Sequence, residues 1–132
     1  MYSIEVNTVG RQGHIVVGLH GELDAADAAD VYVALASVVA GHPDIIVDLT
    51  GLDFIDCGGL RALAGVREQA WHAGGGLLLA SPQRLVLRVM ALSGLAGAFS
   101  IHASVEQAET VPARSRDPGA GGRRGPARPP GR

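Results

Sequence analysis

Four small or acidic residues, Asp56-Cys57-Gly58-Gly59, stand directly before a helical pattern that begins at Leu60. The N-terminus of a helix carries partial positive charge and unpaired N–H donors. Such a segment can present backbone donors and one short side chain to a protein partner or to an anion. The glycines would also allow a second backbone to approach closely. These residue types therefore favour the binding of a protein partner or an anion.

Cys57 is the only cysteine in the chain, and its position raises the question of covalent or redox chemistry. A helix N-terminus favours the thiolate, but the carboxylate of Asp56 beside it acts in the opposite direction. A phosphatase-type site would have an arginine six positions later, where Leu63 stands. The chain has no second cysteine to resolve an oxidised thiol. We therefore interpret Cys57 as inert or as a docking residue, with redox sensing as the alternative.

Asp24 lies at the end of one predicted strand, and Asp56 lies in the loop after another. An α/β sheet can bring two such positions to the same edge, which would make a recognition surface. The alternative is that each aspartate only caps the helix that follows it. The residue types by themselves do not decide between these two interpretations.

Hydrophobic periodicity predicts the elements that position these residues. The predicted order is ββαβαβαβ(α), an α/β domain with a mixed sheet of about five strands and about four helices. The predicted strands are 2–8, 14–20, 45–47, 77–80 and 99–102, and the helices cover about 24–40, then start at Leu60, at Ser81-Pro82 and near Ser104.

Several side chains are expected to build the core around this framework. Leu52, Phe54 and Ile55 are predicted to bury the loop after the central strand, and Trp71 is predicted to be a core residue. In the third helix Ser81 is the expected cap. Its predicted buried stripe is Leu85, Val89 and Leu92.

Length, charge and composition limit the possible functions. The 132 residues are enough for one domain, and a single cysteine fits a reducing cytoplasm. No segment is predicted to span a membrane. Residues 1–110 carry five arginines against twelve acidic residues, so nucleic acid is a poor partner for the folded domain. Residues 111–132 carry six arginines against one aspartate and are rich in proline and glycine, which predicts a disordered tail.

Two motifs resemble those of STAS domains, the family of sulfate transporters and anti-sigma factor antagonists. The first runs from Asp48 to Leu60 and matches the family's apolar strand, "D-L-s-g-l-x-f-I-D" segment and helix-opening turn. The second is Gly21-Glu22-Leu23-Asp24. The resemblance spans roughly residues 1–110 and is strongest for free-standing bacterial antagonists. In phospho-regulated members a serine follows the aspartate, and Cys57 takes that position here.

The resemblance implies a non-enzymatic, cytoplasmic protein without cofactor or metal, whose partner is an anti-sigma factor with a serine-kinase (histidine-kinase-like ATPase) fold. It implies a partner-binding surface made of Asp24, Asp53, Asp56, Cys57, Gly58, Gly59, Leu60 and Arg61. A serine kinase should not phosphorylate Cys57, so the family's usual switch is expected to be absent at this position. Two alternatives stay open: an interaction module in a lipid-transport or stress-signalling complex, and a small nucleotide- or anion-binding protein.

Overall fold

The computed structural model describes residues 1–9 and 13–116, and these form a sheet with helices on both faces. The strands are β1 (Tyr2–Val9), β2 (Ile15–Leu23), β3 (Asp44–Asp48), β4 (Leu52–Ile55), β5 (Gly76–Ala80) and β6 (Ser100–His102). The helices are α1 (Ala28–Gly41), α2 (Cys57–His72), α3 (Arg84–Ser93) and α4 (Val105–Glu109). This order confirms the predicted α/β class, and it contains one strand, β4, that was not predicted.

The sheet is mixed, with the order β1-β2-β3-β5-β6. Strand β1 pairs antiparallel with β2, whereas every other pair is parallel. The long strand β2 has two partners on one side: its first half pairs with β3 and its last three residues pair with β4. As a result, the ends of β2 and β4 lie side by side.

The two faces of the sheet are covered unequally. Alternate residues such as Val17 and Val47 enter the large core, which also contains the buried side chains of α1, α2 and α3. Their neighbours Val16 and Ile46 enter a small cluster on the opposite face, closed by Ala108 of α4. Strand β3 is therefore buried on both faces, as its continuous apolar sequence predicts.

Residues 52–55, which we expected to form a buried loop, form strand β4 instead. Leu52 and Ile55 are fully buried, but Asp53 and Phe54 between them are exposed. This strand lacks simple alternation because the register with β2 shifts between Gly21 and Glu22. The sheet consequently has six strands instead of about five.

The prediction for the third helix was wrong in its start and in its buried face. Helix α3 begins at Arg84 with Gln83 as its N-cap, because Ser81 has a left-handed φ of 56° and lies outside the helix. The side chains that enter the core are Val86 and Met90. The predicted stripe therefore faces outward in large part: Leu85 and Leu92 are 48% and 82% exposed.

Two aromatic residues that we placed in the core are partly exposed: Phe54 at 39% and Trp71 at 44%. Trp71 is covered on one side by Arg114, whose guanidinium carbon lies 3.4 Å from the ring centroid. Phe54 lies on the short strand β4, which pairs with β2, and its side chain is in contact with solvent.

Residues 111–116 continue the packed structure past the expected boundary at residue 110. Ala113 is buried, and the backbone N–H groups of Arg114 and Ser115 donate to the carboxylate of Asp44, which is only 3% exposed. We call residues 111–116 the C-terminal strap. The prediction of disorder for residues 117–132 falls outside the described residues.

Candidate functional site

The carboxyl ends of β2 and β4 bring Asp24 and Asp56 to the same edge of the sheet. Leu23 is paired with Ile55 in the parallel register, so the residues that follow them also lie next to each other. The backbone N–H of Asp56 donates to the carbonyl oxygen of Leu23 at 3.2 Å. The expectation that the fold would place both aspartates at one edge therefore agrees with the structure.

The carboxylate of Asp56 connects two segments of the chain. Its Oδ1 atom accepts a hydrogen bond from the N–H of Gly59 at 2.9 Å and caps α2. Its Oδ2 atom accepts one from the N–H of Ala25, also at 2.9 Å. Asp56 is thus a helix cap and also holds the turn after β2 against the start of α2.

Asp24 caps the short 3₁₀ helix Ala25–Asp27, which precedes α1. Its Oδ1 atom accepts hydrogen bonds from the N–H groups of Ala26 at 3.0 Å and Asp27 at 3.3 Å. The 3₁₀ turn places the N–H of Ala25 against Asp56 Oδ2, so the two aspartates belong to one surface. We call the surface formed by Asp24, Ala25, Asp56, Cys57 and Gly58 the Asp24–Asp56 edge.

The two glycines at the start of α2 allow this close approach. A Cβ atom on Gly58 would lie 2.7 Å from both the Cα and the Cβ of Ala25. A Cβ atom on Gly59 would lie 2.7 Å from the carbonyl oxygen of Leu23. Real Cβ atoms do not come this close to backbone, so neither position accepts a side chain without movement.

Cys57 is the first residue of α2, and its thiol is free and exposed. Arg61, one helical turn later, is also exposed. Leu60 differs from the expectation for a partner-contacting residue, because its side chain is fully buried in the core. Leu60 anchors the helix, and the side chain that this turn presents to solvent is that of Cys57.

Asp53 lies on β4, and its exposed carboxylate faces the start of α3. The side-chain amide of Gln83 donates to Asp53 Oδ1 at 3.2 Å and to the carbonyl oxygen of Thr50 at 2.8 Å. Asp48 holds the same loop from its other end, since its Oδ1 accepts from the N–H and the hydroxyl of Thr50. The supporting contacts of Thr50 and Gln83 were not predicted, because they join segments about 30 residues apart.

Comparison with known proteins identifies the family to which this arrangement belongs. A family model described as the STAS domain matches residues 5–108. The chain belongs to the STAS domain family. This confirms the resemblance that we inferred from the two motifs around Asp24 and Asp56.

The anti-sigma-F factor antagonist RsfA of Mycobacterium tuberculosis (strain CDC 1551 / Oshkosh) is 28% identical over 97 residues, which cover 71% of this STAS chain and 76% of RsfA. Rv2638, a candidate anti-anti-sigma factor of M. tuberculosis (strain ATCC 25618 / H37Rv), is 32% identical over 110 residues, covering 80% and 74% of the two chains. The unphosphorylated anti-sigma factor antagonist SpoIIAA superposes with a TM-score of 0.65 and 25% identity, covering 80% of this chain and 92% of SpoIIAA. The relatives found by sequence and the one found by structure are thus all named as antagonists of anti-sigma factors.

Two further observations describe the STAS domain as a whole. Within residues 1–9 and 13–116, no three His, Cys, Asp or Glu side chains come together in a way that could hold a metal ion. In the same part of the chain, no helix has both the length and the apolar character needed to cross a bilayer.

Proposed function

We propose that this protein is an anti-sigma factor antagonist that binds a serine-kinase-type anti-sigma factor through the Asp24–Asp56 edge and so regulates transcription that depends on a sigma factor. The observation that carries the proposal is the construction of this edge: the Asp56 carboxylate joins its two segments, and the free thiol of Cys57 is exposed at the start of α2. The names of RsfA and SpoIIAA support the same role. The protein acts by binding and performs no chemistry of its own.

The side chain at position 57 determines how this edge can be regulated. A phosphate on a side chain at position 57 would add close to two negative charges beside the carboxylates of Asp24 and Asp56. Repulsion and bulk would then prevent close docking. Cysteine is close to serine in size, so docking survives, but a serine kinase does not transfer phosphate to a thiol. The protein is therefore a permanently binding-competent antagonist with respect to this position.

The same geometry argues against an anion or nucleotide at the start of α2. The carboxylate of Asp56 already occupies the helix N-terminus and accepts the Gly59 N–H. Asp24 adds a second negative charge to the surface. An anion placed there would face two carboxylates at short range, and Coulomb repulsion opposes its binding.

The test is affinity capture from extract of the source organism, using the native protein and the Cys57→Ser and Cys57→Asp variants as baits. Bound proteins are identified and quantified by mass spectrometry. Circular dichroism of each bait establishes that it is folded. We expect the native and Cys57→Ser baits to retain one anti-sigma factor with a kinase-like ATPase fold, and the Cys57→Asp bait to lose it.

The Cys57→Ser bait should also become phosphorylated when it is incubated with the captured factor and ATP, whereas the native protein should not. Phosphorylation of the native protein at another residue would show that a different switch exists. Equal capture by the native and Cys57→Asp baits would contradict docking at this edge. Capture of no kinase-like anti-sigma factor by any bait would contradict the proposed function itself.

A further inference from the structure

Helix α3 exposes an unusual amount of apolar surface for a helix that already packs on the core. Val86 and Met90 are buried, yet Leu85, Leu87 and Leu92 are 48%, 42% and 82% exposed. Leu85 and Leu92 are seven residues apart, or about two helical turns, and so lie on the same side of α3, whereas Leu87 lies on another side. Exposed apolar side chains that lie together mark candidate binding surfaces.

Two arginines share this surface with the leucines. Arg84 and Arg88 are exposed, and neither forms an ion pair with any acidic side chain in the part of the chain that the structure describes. Residues 84, 85, 88 and 92 recur at helical spacing, so the arginines lie beside the leucines. We call Arg84, Leu85, Arg88 and Leu92 the α3 face.

The charge of the α3 face contrasts with that of the rest of the folded domain. Residues 1–110 have a net charge of about −7, but residues 69–105 contain no aspartate or glutamate. The α3 face is therefore a positively charged apolar patch on an acidic domain. Arginine is one of the residues enriched at protein interfaces.

The α3 face continues the surface that begins at the Asp24–Asp56 edge. Gln83, the N-cap of α3, donates its side-chain amide to Asp53 and to the carbonyl oxygen of Thr50, which fixes the start of the helix against β4. Strand β4 runs directly into Asp56 and carries Phe54, which is 39% exposed. A partner that docks at the edge and extends along β4 therefore reaches the start of α3.

We propose that the α3 face binds an acidic segment with apolar side chains on the anti-sigma factor; this inference rests on the proposed function. Leucines contacting the apolar side chains give the contact its affinity, and Arg84 and Arg88 select a segment rich in aspartate or glutamate. A second copy of the chain is disfavoured because two α3 faces would bring four arginines together. An anionic membrane is disfavoured because it repels the acidic domain that carries the helix.

The first experiment identifies what occupies the α3 face. A photo-crosslinking amino acid is placed at Leu92, and the protein is mixed with the purified anti-sigma factor captured in the experiment above. A matched control carries the same amino acid at Val33, which is 63% exposed and lies on α1. We expect crosslinking from position 92 to an anti-sigma factor peptide with more Asp and Glu than Lys and Arg, and none from position 33.

The second experiment measures affinity for the same purified factor by isothermal titration calorimetry. The Leu85→Gln/Leu92→Gln variant should bind about tenfold more weakly, since the complex would bury less apolar surface. The Arg84→Gln/Arg88→Gln variant should bind about three- to tenfold more weakly at low salt, and the difference should shrink as salt screens the charges. Val33→Gln and Arg67→Gln are the matched controls and should leave the affinity unchanged.

The outcomes separate this inference from the proposed function. If the Cys57→Asp variant loses binding while both α3 variants bind like the native protein, the edge stands and the α3 inference is overturned. Crosslinks from position 92 to a second copy, to a basic or neutral peptide, or to nothing overturn it as well. Binding of the native protein to phosphatidylglycerol vesicles that the leucine variant loses would assign the face to a membrane instead. If the native protein binds no anti-sigma factor, the proposed function fails first.

Discussion

The Oδ2 atom of Asp56 accepts a hydrogen bond at 2.9 Å from the backbone N–H of Ala25, which lies 31 residues earlier in the chain. The other oxygen of the same carboxylate caps α2. One side chain therefore fixes both the helix that carries Cys57 and the turn beside it. Removing this carboxylate should affect stability and partner binding together.

Replacement of Asp56 by alanine should lower the free energy of unfolding by about 1–2 kcal/mol, because a helix cap and a second hydrogen bond are lost. Asp56→Asn should lose less, since an amide oxygen still accepts one of the two bonds. Urea denaturation followed by circular dichroism measures both values. Asp30→Ala removes an exposed first-turn carboxylate of α1 and is the control, with an expected loss of about 0.5 kcal/mol. Equal losses for Asp56→Ala and Asp30→Ala would contradict the bridging role.

Gly58→Ala should destabilise the protein by about 1–3 kcal/mol, because the added Cβ would overlap with Ala25 and overpack the site. Gly41, the last residue of α1, has nothing within 4 Å of an added Cβ and supplies the matched control. Gly41→Ala should be neutral or slightly stabilising, as the helix preference of alanine predicts. Thermal unfolding compares the two. A second change, Ala25→Gly, should restore part of the stability lost in Gly58→Ala, and no recovery would place the clash elsewhere.

Alkylation of Cys57 should report directly on docking, since its thiol is exposed and is the only one in the chain. Iodoacetamide should modify the free protein readily, and a saturating amount of the captured anti-sigma factor should slow the reaction at least about tenfold by covering the edge. Mass spectrometry of the intact protein follows the modification. Bovine serum albumin at the same concentration is the control. An unchanged rate in a complex shown to be saturated would place the contact away from Cys57.

Arg114→Ala should release the C-terminal strap from Trp71. The guanidinium group donates to the carbonyl oxygens of Trp71 at 2.8 Å and Gly75 at 2.9 Å, and it lies over the indole ring. The expected loss in stability is about 1–2 kcal/mol, with a red shift of the fluorescence of the single tryptophan as its ring becomes more hydrated. Arg61→Ala should change neither value. Tryptophan emission that is identical in the native and Arg114→Ala proteins would show that the contact does not persist in solution.

Much of this fold can be predicted from the sequence because its signals are local. The continuous apolar run of β3 identifies a strand buried on both faces, and aspartate before a helical pattern identifies the caps at Asp24 and Asp56. The parallel arrangement then follows from the alternation of strands and helices. The position of both aspartates at one edge could be predicted for this reason.

The differences from prediction occur in segments whose local signals were ambiguous or whose packing depends on residues far away in the chain. Helix α3 is apolar at most of its positions, so periodicity does not determine which side faces the core. In the structure, the side chains that face the core are Val86 and Met90. Strand β4 departs from alternation because of a register shift in its partner. The packing of residues 111–116 depends on Asp44, a contact 70 residues away, which no local pattern reveals.

The strap and the Asp24–Asp56 edge lie at opposite poles of the sheet. Asp44 begins β3, beside the start of β2, whereas Asp24 follows the far end of β2. Nine residues at about 3.3 Å each separate these poles by about 30 Å. The last described residue, Arg116, thus lies far from the Asp24–Asp56 edge. The protein can therefore be immobilised through the C-terminal strap while a partner binds at the Asp24–Asp56 edge. A fluorophore attached at the strap would likewise leave this edge unobstructed.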